Sequence, residues 1–175
     1  MQSEPSGTVH RTGEESYDLV LTRRLSGSPA QVWPSFTDAE RTAAWIGRWD
    51  GLPEPGTAFD FQLLYEEEQP NSRARLSQCV PGQRLRVLME DEGGSWDLEV
   101  RLWDDGGATR VEFIQHLPDP SAAEDTGPGW EHYLDRLSAS LTGGRMPDFD
   151  QHYLDQGPYY AAQARAAADA ASTPT

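Results

Sequence analysis

Apolar and polar residues alternate along about six stretches of the chain, the pattern of β-strands that bury one face and expose the other. Glycine-containing turns separate the later stretches, at Pro81-Gly82, Gly93-Gly94 and Asp105-Gly106-Gly107. Consecutive strands joined by tight turns are typical of an antiparallel meander. The sequence therefore predicts strands over residues 17–25, 57–64, 73–80, 84–90, 96–102 and 109–117.

Two short helices are predicted between the first strand and the second. Ser28, followed by Pro29 and Gln31, has the form of a capping box at a helix start. Pro34 lies inside this segment and removes a backbone hydrogen bond, so we expect a short or bent helix. The capping-box spacing recurs over Thr37–Glu40 and predicts the second short helix.

A long helix is predicted from Thr126 to Gly143. Thr126 can cap its start, Pro128 suits its first turn, and Gly143 can adopt the left-handed conformation that ends helices. His132 lies roughly 200° around the helix from Trp130, at about 100° per residue, and is predicted to face solvent. The helix carries one apolar stripe, formed by Trp130, Tyr133, Leu134, Leu137 and Leu141. Such a one-sided helix needs a sheet to cover it.

The predicted elements divide the chain into one domain and its two ends. Residues 1–15 carry few apolar side chains and are expected to form a mobile N-terminal arm. Residues 16–144 are expected to form the domain. The aromatic side chains of residues 145–160 are expected to dock this segment on the domain as a C-terminal extension. Residues 161–175 are rich in alanine and are expected to form a frayed helical tail.

Charge and composition argue against several classes of function. The 175-residue chain has a formal net charge of −15, and its 14 basic residues are all arginine. Strong acidity disfavours nucleic acid and anionic membranes as partners, and the absence of lysine excludes enzymes that use PLP. Cys79 is the only cysteine, and the 4 histidines show no metal-ligand spacing. We expect a cytoplasmic protein that uses no metal and no cofactor.

The order of the elements, a strand, two short helices, a meander and a long C-terminal helix, resembles the helix-grip fold of the START-like (SRPBCC) superfamily. Local motifs are similar to its branch that includes the C-terminal domain of the activators of HSP-90 ATPase. These motifs are Arg23-Arg24-Leu25, Ser28-Pro29-Ala30-Gln31-Val32-Trp33, Phe36-Thr37-Asp38-Ala39-Glu40 with Trp45, Pro81-Gly82-Gln83-Arg84-Leu85, Gly107-Ala108-Thr109-Arg110-Val111, and Gly129-Trp130 with Leu134 and Leu137. The resemblance implies an α+β fold in which a curved antiparallel sheet wraps the long C-terminal helix.

The resemblance also implies a cavity between sheet and helix, which in this superfamily often holds an apolar small molecule. Side chains in the inward phase of the strands and the helix would line it, although core packing is an alternative role for each of them. The candidate ligand-binding residues are Arg23, Trp45, Trp49, Phe59, Phe61, Trp96, Leu98, Phe113, Gln115, Trp130, Tyr133, Leu134 and Leu137.

Polar members of this set could orient a ligand. Arg23 lies in the first strand and Gln115 in the last, which are expected to be neighbours beneath the helix that carries Tyr133. Arg23 could bind an anionic or carbonyl group of a ligand, or it could pair with a carboxylate or a helix C-terminus in a structural role. Trp45 and Trp49 lie on a loop rich in glycine and proline, and could form a lid or pack an open end of the domain.

No catalytic residue is assigned from the sequence. His116 and Glu99 lie in the outward phase of their strands, and no hydrolase, metalloprotease or nucleotide-binding motif occurs. The leading hypothesis is non-enzymatic binding of an aromatic or lipid-like small molecule. The resemblance leaves two alternatives: a polyketide cyclase or dehydratase in which Arg23, Gln115 and Tyr133 orient the substrate, and a chaperone interaction module. A homodimer is also left open.

Overall fold

A computed structural model of the protein describes residues 4–92 and 94–170. Residues 1–3 of the expected arm, residue 93 of a predicted turn and residues 171–175 of the expected tail lie outside the described residues. Within them, eight strands form one antiparallel sheet, where about six were predicted. The long predicted helix packs across one face of this curved sheet, so the α+β helix-grip fold is confirmed.

The sheet has the strand order β1-β2-β8-β7-β6-β5-β4-β3, with every neighbouring pair antiparallel. The expected pairing of the first predicted strand with the last is present, because β2 lies beside β8. The strands are β1 (Thr8–Gly13), β2 (Ser16–Ser26), β3 (Gly47–Arg48), β4 (Ala58–Leu63), β5 (Asn71–Val80), β6 (Arg84–Asp91), β7 (Gly94–Asp105) and β8 (Ala108–Leu117).

Three short helices, rather than two, follow β2: α1 (Pro29–Val32), α2 (Pro34–Thr37) and α3 (Ala39–Ala43). Ser28 caps α1 with the complete predicted capping box. Pro34 starts α2 instead of bending one longer helix, because a proline is tolerated at a first helical position. Asp38, and not Thr37, caps α3 through its side chain.

The long helix α4 (Ala123–Thr142) begins three residues before Thr126, after a 3-10 turn over Pro120–Ala122. Pro128 therefore lies inside the helix and not in its first turn. Gly143 ends α4 in the left-handed conformation, with φ of 71°, as predicted. None of the described helices is long and apolar enough to cross a membrane.

Both ends of the described chain pack on the domain, which corrects the expected mobile arm and frayed tail. The arm contributes β1, which pairs with β2. After α5 (Phe149–His152) and a 3-10 turn over Leu154–Gln156, the alanine-rich segment forms α6 (Gly157–Ala170), which contacts α4 and β1. Tyr160, Ala164 and Ala167 are its buried residues. Small alanine side chains let α6 approach its neighbours closely, so few large apolar residues are needed to anchor it.

Candidate functional site

A cavity of about 370 Å³ lies between the inner face of the sheet and one side of α4. Its wall is mostly apolar, and it is partly open to solvent. Pockets that bind small molecules commonly have volumes of roughly 300–1,000 Å³ and mostly apolar walls. The cavity is therefore large enough for a small ligand.

The sheet side of the cavity is lined by the predicted residues Phe59, Phe61, Trp96, Leu98 and Phe113. They share this wall because alternate residues of a strand point to the same face, and their strands β4, β7 and β8 belong to one continuous sheet. Strand periodicity placed these residues on one face of the sheet, and the family resemblance supplied the cavity that this face lines.

The helix and loop sides are lined by Trp130 and Tyr133 from α4, and by Trp45 and Trp49 from the segment between α3 and β4. The Trp130 ring lies 4.5 Å from that of Phe113, between ring centroids. Trp45 and Trp49 are both buried. Trp45 also belongs to the hydrophobic core, and the Trp49 ring packs against Phe59 and Phe61.

Three of the other candidate residues have core or supporting positions away from the cavity wall. Leu134 and Leu137 are almost fully buried in the hydrophobic core. Gln115 accepts a hydrogen bond from Trp130 Nε1 through its Oε1, at 2.8 Å. Gln115 therefore fixes the orientation of a cavity-lining tryptophan and does not itself face the cavity.

Arg23 is also not placed at the cavity, where it had been expected to bind a ligand. Its Nη2 lies 2.5 Å from Glu131 Oε2 and 3.2 Å from Asp135 Oδ1. Glu131 and Asp135 stand one turn apart on α4, so together they offer two carboxylates to β2. Burial alone would lower the pKa of Arg23, but these two carboxylates raise it above its usual value. Arg23 therefore has the structural role that the sequence left open, in which it pairs with carboxylates.

Glu131 is the centre of a buried polar network that joins both ends of the chain to α4. Its Oε1 accepts hydrogen bonds from the backbone N–H groups of Ser6, at 2.6 Å, and Gly7, at 3.1 Å, and from the hydroxyl of Tyr160. Burial, followed by the Glu131 carboxylate, raises the pKa of Tyr160. These contacts fix the fold, and none of the described residues of this network belongs to the cavity lining.

The ionisable groups that line the cavity, apart from the Tyr133 phenol, are carboxylates. Glu66, Asp91 and Asp125 belong to its lining, and the hydroxyl of Tyr133 donates a hydrogen bond to Glu66 Oε1 at 3.1 Å. Burial, followed by the Glu66 carboxylate, raises the pKa of Tyr133, so this phenol is protonated at neutral pH. Among the described residues that line the cavity, there is no arginine and no histidine.

The loop between β4 and β5 forms part of the cavity wall through Glu66 and was not assigned to the site from the sequence. Its Tyr65 ring lies under the guanidinium of Arg136, with Cζ 3.6 Å from the ring centroid, and its hydroxyl donates to the Ala43 carbonyl oxygen. Arg136 Nε also donates to the Trp45 carbonyl oxygen at 3.1 Å. These contacts attach the loop to α4 and α3. The acidic run that contains Glu66 had been interpreted as a solvated strand end.

A second polar cluster lies on the outer face of the sheet, where Glu99 had been expected in solvent. The Glu99 side chain is 0% exposed and accepts hydrogen bonds from Arg101 at 2.5 Å and Arg84 at 2.7 Å. His116 bridges Glu99 Oε1, at 3.0 Å, and Asp18 Oδ1, at 2.6 Å. Burial alone would raise the pKa of Glu99, but these hydrogen bonds lower it to about 2.

His132 is buried, contrary to the prediction that it faces solvent. Only 8% of the residue is exposed, because Phe149 and Tyr153 pack against its ring. Its Nε2 lies 3.3 Å from the Pro147 carbonyl oxygen. Helix periodicity correctly places His132 away from the sheet, but the C-terminal extension covers that side of α4.

The eight-stranded antiparallel sheet, the helix across its inner face and the cavity between them define a helix-grip protein. A family model described as Activator of Hsp90 ATPase homolog 1-like protein matches residues 26–142. Because this match spans more than half of the chain, the chain belongs to that family. The predicted superfamily and branch are thereby confirmed.

Solved structures support the same fold. The crystal structure of CalU16 from Micromonospora echinospora is 21% identical and has a TM-score of 0.74, with 91% of this chain and 98% of that chain covered. DynU16, described as a protein in the dynemicin biosynthetic locus, is 17% identical with a TM-score of 0.64, covering 77% of this chain and 49% of that chain. EF2215 from Enterococcus faecalis, of unknown function, is 16% identical with a TM-score of 0.69, covering 92% and 91%.

At these identities the structures show the fold alone. No curated protein is recognisably similar to the chain in sequence. Helix-grip proteins of this kind bind hydrophobic ligands or act as polyketide cyclases, and the family match is compatible with both classes of function.

Proposed function

We propose that the protein binds a neutral, aromatic small molecule in the cavity between the sheet and α4, without transforming it. The observation that carries this proposal is the aromatic wall of a cavity of about 370 Å³. Aromatic side chains give a flat apolar ligand a large contact area, and offset or edge-to-face ring contacts add to it. The Trp130 and Trp96 rings, 6.4 Å apart and at 84° to each other, already have an edge-to-face arrangement.

The charge of the site favours a neutral ligand over an anionic one. The described lining residues that ionise are acids, among them Glu66, Asp91 and Asp125, and the chain carries a net charge of −15. A ligand carboxylate would lose its hydration without gaining a cationic partner, which is unfavourable. A fatty acid therefore fits the cavity less well than an uncharged aromatic compound.

The cyclase alternative receives less support from the geometry. Arg23, which was to orient its substrate together with Gln115 and Tyr133, pairs with carboxylates of α4, and Gln115 accepts a hydrogen bond from Trp130 Nε1. Neither Arg23 nor Gln115 belongs to the cavity lining. Tyr133 has a raised pKa and donates to Glu66, so it is not a base at neutral pH. The chaperone alternative rests on the description of the family and has no specific surface feature in its favour.

Gly129 allows a direct test, because it lines the cavity and a Cβ atom built there meets nothing within 4 Å. In Gly129→Phe the added ring has room to enter the cavity, whereas Gly129→Ala adds only a methyl group. Both changes remove a helix glycine and should not reduce the stability of α4. Binding of fluorene, a neutral aromatic hydrocarbon, can be measured by equilibrium dialysis with each protein.

We expect the unmodified protein to bind fluorene with a Kd on the order of 10 µM. Gly129→Phe should weaken this binding by about tenfold or more, and Gly129→Ala should leave it within about twofold. Equal binding by all three proteins would place fluorene outside the cavity. No binding by the unmodified protein would contradict the proposed function.

A further inference from the structure

The tryptophans that line the cavity differ in how their indole N–H groups are paired. Trp45, Trp96 and Trp130 each donate to a protein oxygen, whereas Trp49 Nε1 has no hydrogen-bond partner among the described residues and no contact with solvent. The three acceptors are the Ser35 carbonyl oxygen at 2.8 Å, Asp91 Oδ2 at 3.1 Å and Gln115 Oε1 at 2.8 Å, respectively.

Ser72 is a second unpaired polar group on the same part of the wall. Ser72 points inward from β5, is 3% exposed, and its Oγ has no partner among the described residues. It lies directly opposite Phe61 in the β4–β5 ladder. The Trp49 ring packs against Phe61 and Phe59, with centroid distances of 6.3 and 5.3 Å. Trp49 and Ser72 therefore flank the same phenylalanine at the β3–β5 end of the cavity.

Buried polar groups without a partner are uncommon in folded proteins, because the lost hydrogen bonds to water are not replaced. Here two such groups lie beside the same phenylalanine, and both belong to residues that line the cavity. A single partner bound in the cavity would satisfy both. An indole N–H can only donate, and a serine hydroxyl can donate or accept. A partner that serves both groups is thus an acceptor oxygen with two lone pairs, and the carboxylates in the cavity lining favour an uncharged one.

We propose that the ligand of this cavity carries a neutral carbonyl oxygen, which accepts hydrogen bonds from Trp49 Nε1 and Ser72 Oγ. This inference rests on the proposed function and names the ligand class as aromatic ketones and related carbonyl compounds. The rings of such a ligand contact the aromatic wall, and its oxygen is directed to the β3–β5 end. Both polar atoms are covered in the structure, so contact requires the Ser72 side chain to rotate about χ1 and the Trp49 ring to shift. Trp49 precedes a loop containing Gly51 with φ of 102°.

Fluorene and 9-fluorenone form a matched probe pair, because they have nearly the same shape and differ by one carbonyl oxygen. Equilibrium dialysis gives the Kd of each compound for the unmodified protein, Trp49→Phe and Ser72→Ala. The ratio of the two Kd values cancels general effects of a substitution on cavity shape. Trp96→Phe is the control, since it makes the same chemical change at a cavity tryptophan whose N–H already has a partner.

We expect Trp49→Phe and Ser72→Ala each to reduce the preference for 9-fluorenone over fluorene by about three- to tenfold, the effect of one neutral hydrogen bond. Trp96→Phe should change this preference by less than about twofold. Ser72→Ala should also leave the melting temperature unchanged or higher, because its hydroxyl has no hydrogen-bond partner to lose among the described residues.

The outcomes that would contradict the binding function differ from those that would contradict the carbonyl site. If the unmodified protein binds neither compound, the proposed function is wrong. If it binds both compounds and the ratio is the same in all four proteins, the carbonyl site is overturned while the binding function stands. If Ser72→Ala lowers the melting temperature by several degrees, its hydroxyl has a structural partner and the assignment of Ser72 is overturned.

Discussion

Arg23 Nη2 and Glu131 Oε2 form a 2.5 Å ion pair in which the Glu131 side chain is 0% exposed. The pair connects β2 to α4, and the same carboxylate also holds Ser6, Gly7 and Tyr160. A carboxylate buried this completely is tolerated only while its partners remain. The stability of the domain therefore depends on contacts made by both ends of the chain.

Removing the cation of this pair should destabilise the protein without changing the cavity. We expect Arg23→Met to lower the free energy of unfolding by about 3–5 kcal/mol, because it leaves the Glu131 charge buried with fewer partners. Urea denaturation measures this loss. The double variant Arg23→Met, Glu131→Leu should be more stable than the sum of the two single losses predicts.

Fluorene binding is the control for this prediction. Arg23 does not line the cavity, so Arg23→Met should keep the fluorene Kd within about twofold at temperatures where the variant is folded. If Arg23→Met greatly weakens fluorene binding and leaves the free energy of unfolding unchanged, Arg23 belongs to the ligand site, as the sequence analysis expected.

Tyr160 should be the main anchor of the C-terminal helix α6. The residue is 0% exposed, and its ring packs against Gly7 and Gly127 so closely that a Cβ atom on either glycine would overlap it. We expect Tyr160→Ala to cost about 3–5 kcal/mol of unfolding free energy, as for other large buried aromatic residues. Arg165→Ala, on the exposed side of the same helix, should stay within about 0.5 kcal/mol. Similar losses for both variants in urea would mean that α6 is not packed as described.

The contrast between α6 and the cavity wall shows what the sequence can predict. Phe59, Trp96 and Phe113 reach the cavity because period-2 alternation decides which face of a strand each side chain occupies. Period-2 alternation depends only on adjacent positions in the sequence, so it can be applied without knowing which distant residues a side chain contacts. The resemblance to the helix-grip superfamily then supplied the strand connectivity and the position of α4.

Non-local contacts explain the predictions that failed. The carboxylate partners of Arg23 lie more than 100 residues away on α4, and no spacing rule connects them. His132 and Glu99 follow their predicted phases, but other segments or neighbouring side chains cover those sides. Sequence analysis could not predict that the Trp49 N–H has no acceptor within residues 4–92 and 94–170, since this depends on the positions of all surrounding acceptors.

Burial of His132 predicts a loss of stability in mild acid. Burial, the largest effect, lowers the pKa of His132 below its ordinary value of 6.5, so the unfolded chain binds a proton that the folded protein resists. The stabilising contribution of neutral His132 should therefore be fully present above about pH 7, and the free energy of unfolding should fall as the pH drops through 6.5. The midpoint of urea denaturation, measured from pH 7.5 to 5, should fall less in His132→Phe than in the unmodified protein. Equal slopes would mean that His132 is solvated, as the sequence suggested.

Glu99 should produce a separate loss of stability at lower pH. Its pKa is about 2 in the folded protein against an ordinary value of 4.5, so its contribution is present above pH 4.5 and is lost as the pH falls towards 2. We expect Glu99→Gln to cost about 1.5–3 kcal/mol at pH 7, because the hydrogen bonds from Arg84, Arg101 and His116 lose their charged acceptor. The variant should also lose less stability than the unmodified protein between pH 4.5 and 2.5, measured by thermal melting. Parallel curves over that range would contradict the role of Glu99.

The loop between β4 and β5 should control how fast a ligand leaves the cavity. Tyr65 holds this loop through Arg136 and the Ala43 carbonyl oxygen, while the Tyr133 hydroxyl binds Glu66. Because Glu66 lines the cavity and Tyr65 does not, Tyr65→Ala should loosen the wall without removing a lining side chain. We expect the dissociation rate of fluorene, measured by stopped-flow fluorescence, to rise by about tenfold in Tyr65→Ala, which removes two anchors. Tyr133→Phe, which removes one hydrogen bond, should raise it by about threefold. Unchanged rates in both variants would show that the ligand leaves by another route, past α4 or the Trp49 loop.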